Sequence, residues 1–199
     1  MMSRPPRTGR LTSLIAGALA VLLVRSPAVQ AGQIHLLDLE NRRIDPLVSV
    51  SGVKATVLLF ISTDCPVSNR YAPELRRLSE SFASKGVAFW SVYPNPTESP
   101  QQIRDHLKSF SFPMQALRDP EHALAKWVHA TVAPEAVVVA GGRILYRGRI
   151  DDRYVGLGVE RPAPSRRDLE EALTALIAGK QVEHPTTQAV GCFIADLLQ

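Results

Sequence analysis

Residues 60–78 read FISTDCPVSNRYAPELRRL, and this stretch decides the fold. The uncharged run TVLLFI, residues 56–61, has the composition of a strand buried on both faces. It stops just before Cys65, and a different period begins. Tyr71, Leu75, Leu78 and Phe82 are spaced four, three and four residues apart, which predicts an amphipathic helix over 68–84. Gly86 follows as its C-cap. Cys65 therefore stands where a buried strand gives way to a helix start. Unpaired N–H groups and positive partial charge at a helix N-terminus favour thiolate over thiol. Cysteines so placed can fall from a pKa of about 8.5 to roughly 3.5–7.5, and the thiolate is the nucleophile. Asp64 opposes this only if it points inward, and an outward orientation is expected. Pro73, inside the helical pattern, removes one backbone hydrogen bond and predicts a bent helix; a helix starting at Pro73 is the alternative.

Outward from this stretch, strand and helix patterns alternate. Strands are predicted at 34–39, 55–61, 87–93 and, more briefly, 112–117. Helices are predicted at 100–110 and 121–129. Residues 136–140 and 144–149 flank Gly141-Gly142, a strong hairpin signal. A last helix starts at Ser165, carries acids in its early turns and ends at Gly179. The order β-β-α-β-α-(β)-α-β-β-α predicts one α/β domain with a mixed sheet, parallel strands first and an antiparallel edge last.

The N-terminus reads as a leader. Arg4, Arg7 and Arg10 precede the eleven-residue run Leu14 to Val24, and Val29-Gln30-Ala31 forms a small-residue cleavage site. Eleven residues are too few to cross about 30 Å of hydrocarbon. The predicted organisation is a secretory signal over 1–31, a domain over 32–179 and a C-terminal tail over 180–199, placing the mature protein in the periplasm. The chain's formal charge is +4, and the leader holds four arginines and no acids, so the mature chain is neutral. That balance argues against nucleic acid or an anionic membrane surface as partner. Two cysteines remain, Cys65 and Cys192, in a compartment that permits disulfides.

Residues 60–75 resemble the active-site segment of the thioredoxin-like superfamily, in which an aromatic-led strand ends at a redox cysteine and Ala-Pro follows in the same helix. Ala72-Pro73 stands at the family's spacing from Cys65. Thr131-Val132-Ala133-Pro134 resembles the family's cis-proline loop, and the Gly141-Gly142 hairpin follows it. FPMQALRDPEHALAKWV, residues 112–128, is similar to the redoxin branch, the alkyl hydroperoxide reductase and thiol-specific antioxidant type. The resemblance covers roughly residues 33–178. It implies a central mixed sheet flanked by helices on both faces, a cis Pro134 beside Cys65, and Ala133 backbone groups offered to a disulfide substrate. It also implies a thiol oxidoreductase without cofactor or metal. Cys65 would attack a protein disulfide or a peroxide, and an external thiol or a thioredoxin-type protein would serve as reductant.

The chain departs from the pattern. Asp64 replaces the usual Trp, and Ser68 replaces the second cysteine of Cys-x-x-Cys. The peroxiredoxin pattern is met only in part, with Ser62 at its Thr position and Leu58 at its Pro position. Cys65 thus lacks a local resolving thiol. Ser68 is assigned a hydrogen bond to the thiolate. Cys192, in the tail AVGCFIADLL, is assigned as the resolving thiol. Gly191 permits close approach there, and Val190, Phe193 and Ile194 are apolar enough to dock. A purely structural bridge, closing a long loop for about 4–5 kcal/mol, and a free or intermolecular thiol are the alternatives. Glu135 is read as an exposed acid. Arg147 and Arg149 are read as solvated charges on one side of a strand, and His106, His122, His129 and His184 as surface residues. Two other functions stay open. One is a non-catalytic binding protein. The other is a copper-delivery protein, disfavoured because Asn69 stands where such proteins on this fold carry a second cysteine.

Overall fold

The structure, a computed structural model, describes residues 1–2, 34–48, 51–195 and 197. Beyond its first two residues, the leader read over 1–31 lies outside them. No helix among the described residues is long and apolar enough to cross a membrane.

The centre is β3 (Ala55–Phe60), which is buried along its whole length. Its side chains alternate between two apolar layers. Val57 and Leu59 face one, Leu58 and Phe60 the other. Both layers being apolar is why the run carries no polar alternation. β4 (Val87–Tyr93) lies parallel to β3, and β5 (Gln115–Arg118) parallel to β4. β7 (Glu135–Ala140) and β8 (Arg143–Gly148) continue antiparallel on the other side, joined through Gly141-Gly142. β1 (Leu36–Leu37) and β2 (Arg43–Ile44) form a two-residue hairpin beside β5. The sheet order is β2-β1-β5-β4-β3-β7-β8. The first strand is antiparallel to β5, so both edges are antiparallel and only the centre is parallel, a correction to the expected single antiparallel edge. The tight turn at Glu40-Asn41, too short for a parallel crossover, makes the outermost β1–β2 pair antiparallel.

The expected bent helix is broken into two. α1 (Pro66–Arg70) and α2 (Ala72–Ala83) meet at Tyr71. Pro73 has no N–H to continue the ladder across the joint. α2, α3 (Pro100–Phe110) and α5 (Asp168–Ile177) cover one face through Leu75, Leu78, Ile103, Leu169 and Leu173. α4 (Ala123–Val128) covers the other through Leu124, Ala125 and Val128. Burying side chains of this size stabilises by about 1.5–3 kcal/mol each. The result is a central mixed sheet with helices on both faces.

Four short strands lie outside this sheet. β9 (Tyr154–Gly156) and β10 (Val159–Glu160) make a hairpin before α5. β6 (Val132–Ala133) pairs with β11 (Cys192–Phe193), which belongs to the tail.

The tail, which shows no period in sequence, is tied down residue by residue. Arg147 N–H donates to the Pro185 carbonyl at 2.9 Å, and Thr187 N–H to the Arg147 carbonyl at 3.0 Å. The Thr187 hydroxyl accepts from Arg149 N–H at 3.1 Å and bonds the Tyr146 hydroxyl at 2.7 Å. Gly148 makes this possible, since a Cβ there would lie 2.2 Å from Thr187 Oγ1. Further on, Ile194 N–H donates to the Thr131 carbonyl at 3.0 Å, and Ile194 is buried in the α4-side core. Val190 packs partly buried on the opposite layer, and Phe193, expected to help dock the tail, stands 70% exposed.

Candidate functional site

Cys65 follows the loop after β3 and is the N-cap of α1, with no exposed surface. Its peptide is anchored on both sides: Cys65 N–H donates to the Ser62 carbonyl, and Asn69 N–H to the Cys65 carbonyl. Ala133–Pro134 is a cis peptide, and Cys65 Sγ–H donates to the Ala133 carbonyl at 3.1 Å. Across the β6–β11 pair, Cys192 stands directly opposite Ala133. Gly191 allows it, because a Cβ there would lie 2.1 Å from the Ala133 carbonyl oxygen. Ala133 thus brings Cys65 and Cys192 together, and both are free thiols.

The two sulfurs are not equivalent. Burial works to raise the Cys65 pKa. Hydrogen bonds from Cys192, then from the Ser68 N–H and the Ser68 hydroxyl, outweigh it and hold Cys65 below the ordinary thiol range. The Ser68 hydroxyl is fully buried and has no partner among the described residues while Cys65 is a thiol. With only five residues in α1, these local donors rather than a long helix dipole act on the sulfur. Cys192 is pushed up to about 12, by burial first and then by the hydrogen bond and charge of Cys65. The two shifts run in opposite directions, with Cys65 the more acidic thiol. Asp64 is exposed, as anticipated.

Around this pair, several readings of the sequence are corrected. Glu135 is buried rather than exposed. Its carboxylate accepts from Thr131 N–H at 3.0 Å and lies 3.6 Å from Arg147 Nε, so it braces the cis-proline loop. Arg147 and Arg149 do not share a side. Arg147 donates to the His129 carbonyl beside α4, whereas Arg149 forms a two-point bond with buried Asp168 at the start of α5. The chain turns at Gly148, where φ is +146°, and this ends the strand's alternation. His106 and His122 are buried. His106 takes a bond from the Tyr93 hydroxyl at Nδ1, 2.8 Å, and donates from Nε2 to Asn69 Oδ1, 2.7 Å. Burial lowers its pKa to about 4, so the imidazole is neutral. The Asn69 side chain is committed to this bond. Among the described residues no group of three His, Cys, Asp or Glu side chains is arranged to hold a metal ion.

Glu98, which carries no motif or period, also belongs to this region. It is buried and accepts from Thr63 N–H at 2.6 Å and from the Ser62 hydroxyl at 3.1 Å, fixing the loop that leads to Cys65. Burial raises its pKa against those bonds. Beside the tail, an opening of about 370 Å³ is lined by Pro66, Val67, Arg70, Tyr154, Leu157 and Cys192, among others.

A cysteine after the central strand, a cis-proline loop against its sulfur and a closing hairpin define a thioredoxin-like protein of the redoxin type. The chain belongs to the AhpC/TSA family, which it matches over residues 29–146. Among solved structures, it is similar to an uncharacterized conserved protein from Geobacillus kaustophilus, at 27% identity and TM-score 0.70, covering 83% of this chain and 89% of that one. It shares its fold with a secreted Mycobacterium tuberculosis disulfide oxidoreductase homologous to E. coli DsbE, at 18% identity, TM-score 0.51, and coverage of 74% and 96%. StoA from Bacillus subtilis is similar at 19% identity, TM-score 0.51, and coverage of 74% and 99%. No curated protein matches the chain.

Proposed function

We propose that the protein is an envelope thiol oxidoreductase in which Cys65 is the nucleophile and Cys192 the resolving thiol. The observation that carries this reading is the joint at Ala133, whose carbonyl takes the Cys65 Sγ–H bond while Cys192 sits opposite in the β6–β11 pair. With a disulfide substrate, the Cys65 thiolate bonds to one sulfur and the other leaves as thiolate. The Cys192 sulfur then attacks Cys65, forms the intramolecular disulfide and releases the second substrate thiol. With a peroxide, the O–O bond breaks, Cys65 becomes a sulfenic acid, and Cys192 displaces water from it. The high pKa of Cys192 does not obstruct the second step. Part of that elevation comes from the Cys65 thiolate, whose charge is gone once Cys65 has reacted.

Ser68 serves the thiolate, and Ala133 and Pro134 form the wall against which substrate is presented. The leader over 1–31 supports an envelope location, as does the likeness to a protein described as secreted. A non-catalytic role leaves two adjacent free thiols of opposite pKa displacement without a use.

Stopped-flow reaction of the reduced protein with hydrogen peroxide, and separately with a model disulfide, tests the reading and chooses the substrate. Cys65→Ser removes both reactions, while Cys192→Ser keeps the first attack and stops at a sulfenate or mixed disulfide. Unchanged turnover in Cys65→Ser contradicts it.

A further inference from the structure

We propose that Arg153 and Arg161 form an anion subsite, which selects disulfide substrates carrying a carboxylate beside the reacting sulfur. This rests on the proposed Cys65–Cys192 cycle and names the class of disulfide that the cycle takes. An opening of about 430 Å³ is lined by Arg70, Arg153, Glu160, Arg161 and Pro162. It adjoins the opening lined by Cys192 and by Pro66 and Val67, the two residues that follow Cys65. The Arg70–Glu160 pair lines both. A substrate with its sulfur at the first opening therefore has room for its neighbouring groups in the second.

Three guanidinium groups meet there, and two have carboxylate partners. Arg70 pairs with Glu160 at 2.6 Å, and Arg161 with Asp152 at 3.2 Å. Arg153 forms no ion pair among the described residues, and its Nε is buried without a hydrogen-bond partner. A buried donor on a charged group is costly until an acceptor reaches it. The backbone also keeps two of the cations close. At the base of the β9–β10 hairpin, Arg161 N–H donates to the Arg153 carbonyl at 2.8 Å. Like charges set opposite one another on paired strands repel. An anion bound by both removes that repulsion.

The chemistry of the donors selects the ligand. A planar guanidinium fork matches a carboxylate, which accepts two parallel N–H bonds from it. Hydrogen peroxide has no group to place there, so the subsite serves the disulfide branch of the proposed reaction. The carboxylate can belong to a small acid or to an acidic residue beside a substrate cysteine. The bonds made and broken at sulfur are those of the proposed cycle.

The test compares two small disulfides, anionic dithiodipropionate and neutral hydroxyethyl disulfide, reacting with the full reduced chain. The readout is the ratio of their rates in the parent and in Arg153→Gln, so that their intrinsic reactivities cancel. That ratio is expected to fall roughly tenfold in Arg153→Gln, about the worth of one charge-assisted hydrogen bond. Arg153→Lys, which keeps the charge, should retain part of it, and added salt should lower the ratio in the parent. A ratio unchanged in Arg153→Gln overturns the proposal. Peptide disulfides with glutamate or glutamine beside the cysteine separate the two sources. A preference for glutamate assigns the subsite to a protein substrate, and its absence, with the small acid still preferred, to a small one. If neither small disulfide reacts, the oxidoreductase reading fails, and nuclear magnetic resonance still tests the subsite. Thiodipropionate, which has no S–S bond, is expected to shift the Arg153 Nε–H signal, and no shift overturns the proposal.

Discussion

Cys192 faces Ala133 across a two-residue antiparallel pair, while the carbonyl of that same alanine accepts a hydrogen bond from Cys65 at 3.1 Å. One backbone position thus holds both thiols, and the tail lies on the edge that the family resemblance assigns to substrate. In this form β11 covers Cys65, so access to the nucleophile depends on how firmly the tail is seated.

Gly191→Ala tests the seating. The added Cβ meets backbone at Ala133, which has no flexible end to move aside. The tail is expected to lift, at a cost of about 1–3 kcal/mol in folding stability, the range for forced overpacking. Iodoacetamide should then alkylate Cys65 markedly faster, while circular dichroism of the domain is retained. An unchanged alkylation rate means that the tail does not guard the sulfur.

The asymmetry of the two thiols predicts a pH profile. Burial raises Cys65, and the bonds from Cys192 and Ser68 more than reverse this, so the alkylation rate of Cys65 should inflect below the ordinary thiol value of about 8.5. Cys192→Ala removes the first of those donors, and the inflection should move to higher pH. The position of the inflection, not the maximum rate, is the readout, because the variant also alters access. An inflection that stays in place or moves down contradicts the assigned donors.

Asp152 predicts an acid-dependent loss of stability. Its buried carboxylate accepts from Ser165 N–H at 2.7 Å and Arg166 N–H at 2.9 Å, is bonded by the Ser165 hydroxyl, and pairs with Arg161 at 3.2 Å. Burial pushes its pKa up, but these bonds bring it down to about 2. The folded value lies below the unfolded value of about 3.9. Its contribution is therefore complete above pH 4 and is lost as pH falls through about 2. Asp152→Asn should be less stable than the parent at pH 7, with the gap narrowing below pH 4. Urea midpoints across that range measure it, and a gap that does not depend on pH contradicts the assignment.

The parts legible in sequence are those whose signal is local. TVLLFI announces a doubly buried strand because both of its faces meet apolar layers. Pro73 announces a break because a missing N–H acts within one turn. Gly141-Gly142 announces a hairpin by its own backbone freedom. What was not legible depends on distant partners. Glu135 reads as an acid on a loop, and its burial follows from Thr131 and Arg147, the latter arriving on the next strand. His106 looks like a polar helix position until Tyr93 and Asn69 are seen on either side. The hairpin 154–160 and the Cys192 strand are too short to show a period. The nearness of Cys192 to Cys65 was readable only as the need of a lone thiol for a partner, helped by the glycine beside it.

The central claim is that Cys65 and Cys192 form one redox pair, and mass spectrometry after one equivalent of oxidant tests it most directly. The account predicts a peptide pair linking Cys65 to Cys192 within a single chain, with no thiol left to alkylate. A stable Cys65 sulfenate beside a still-reduced Cys192 would contradict it.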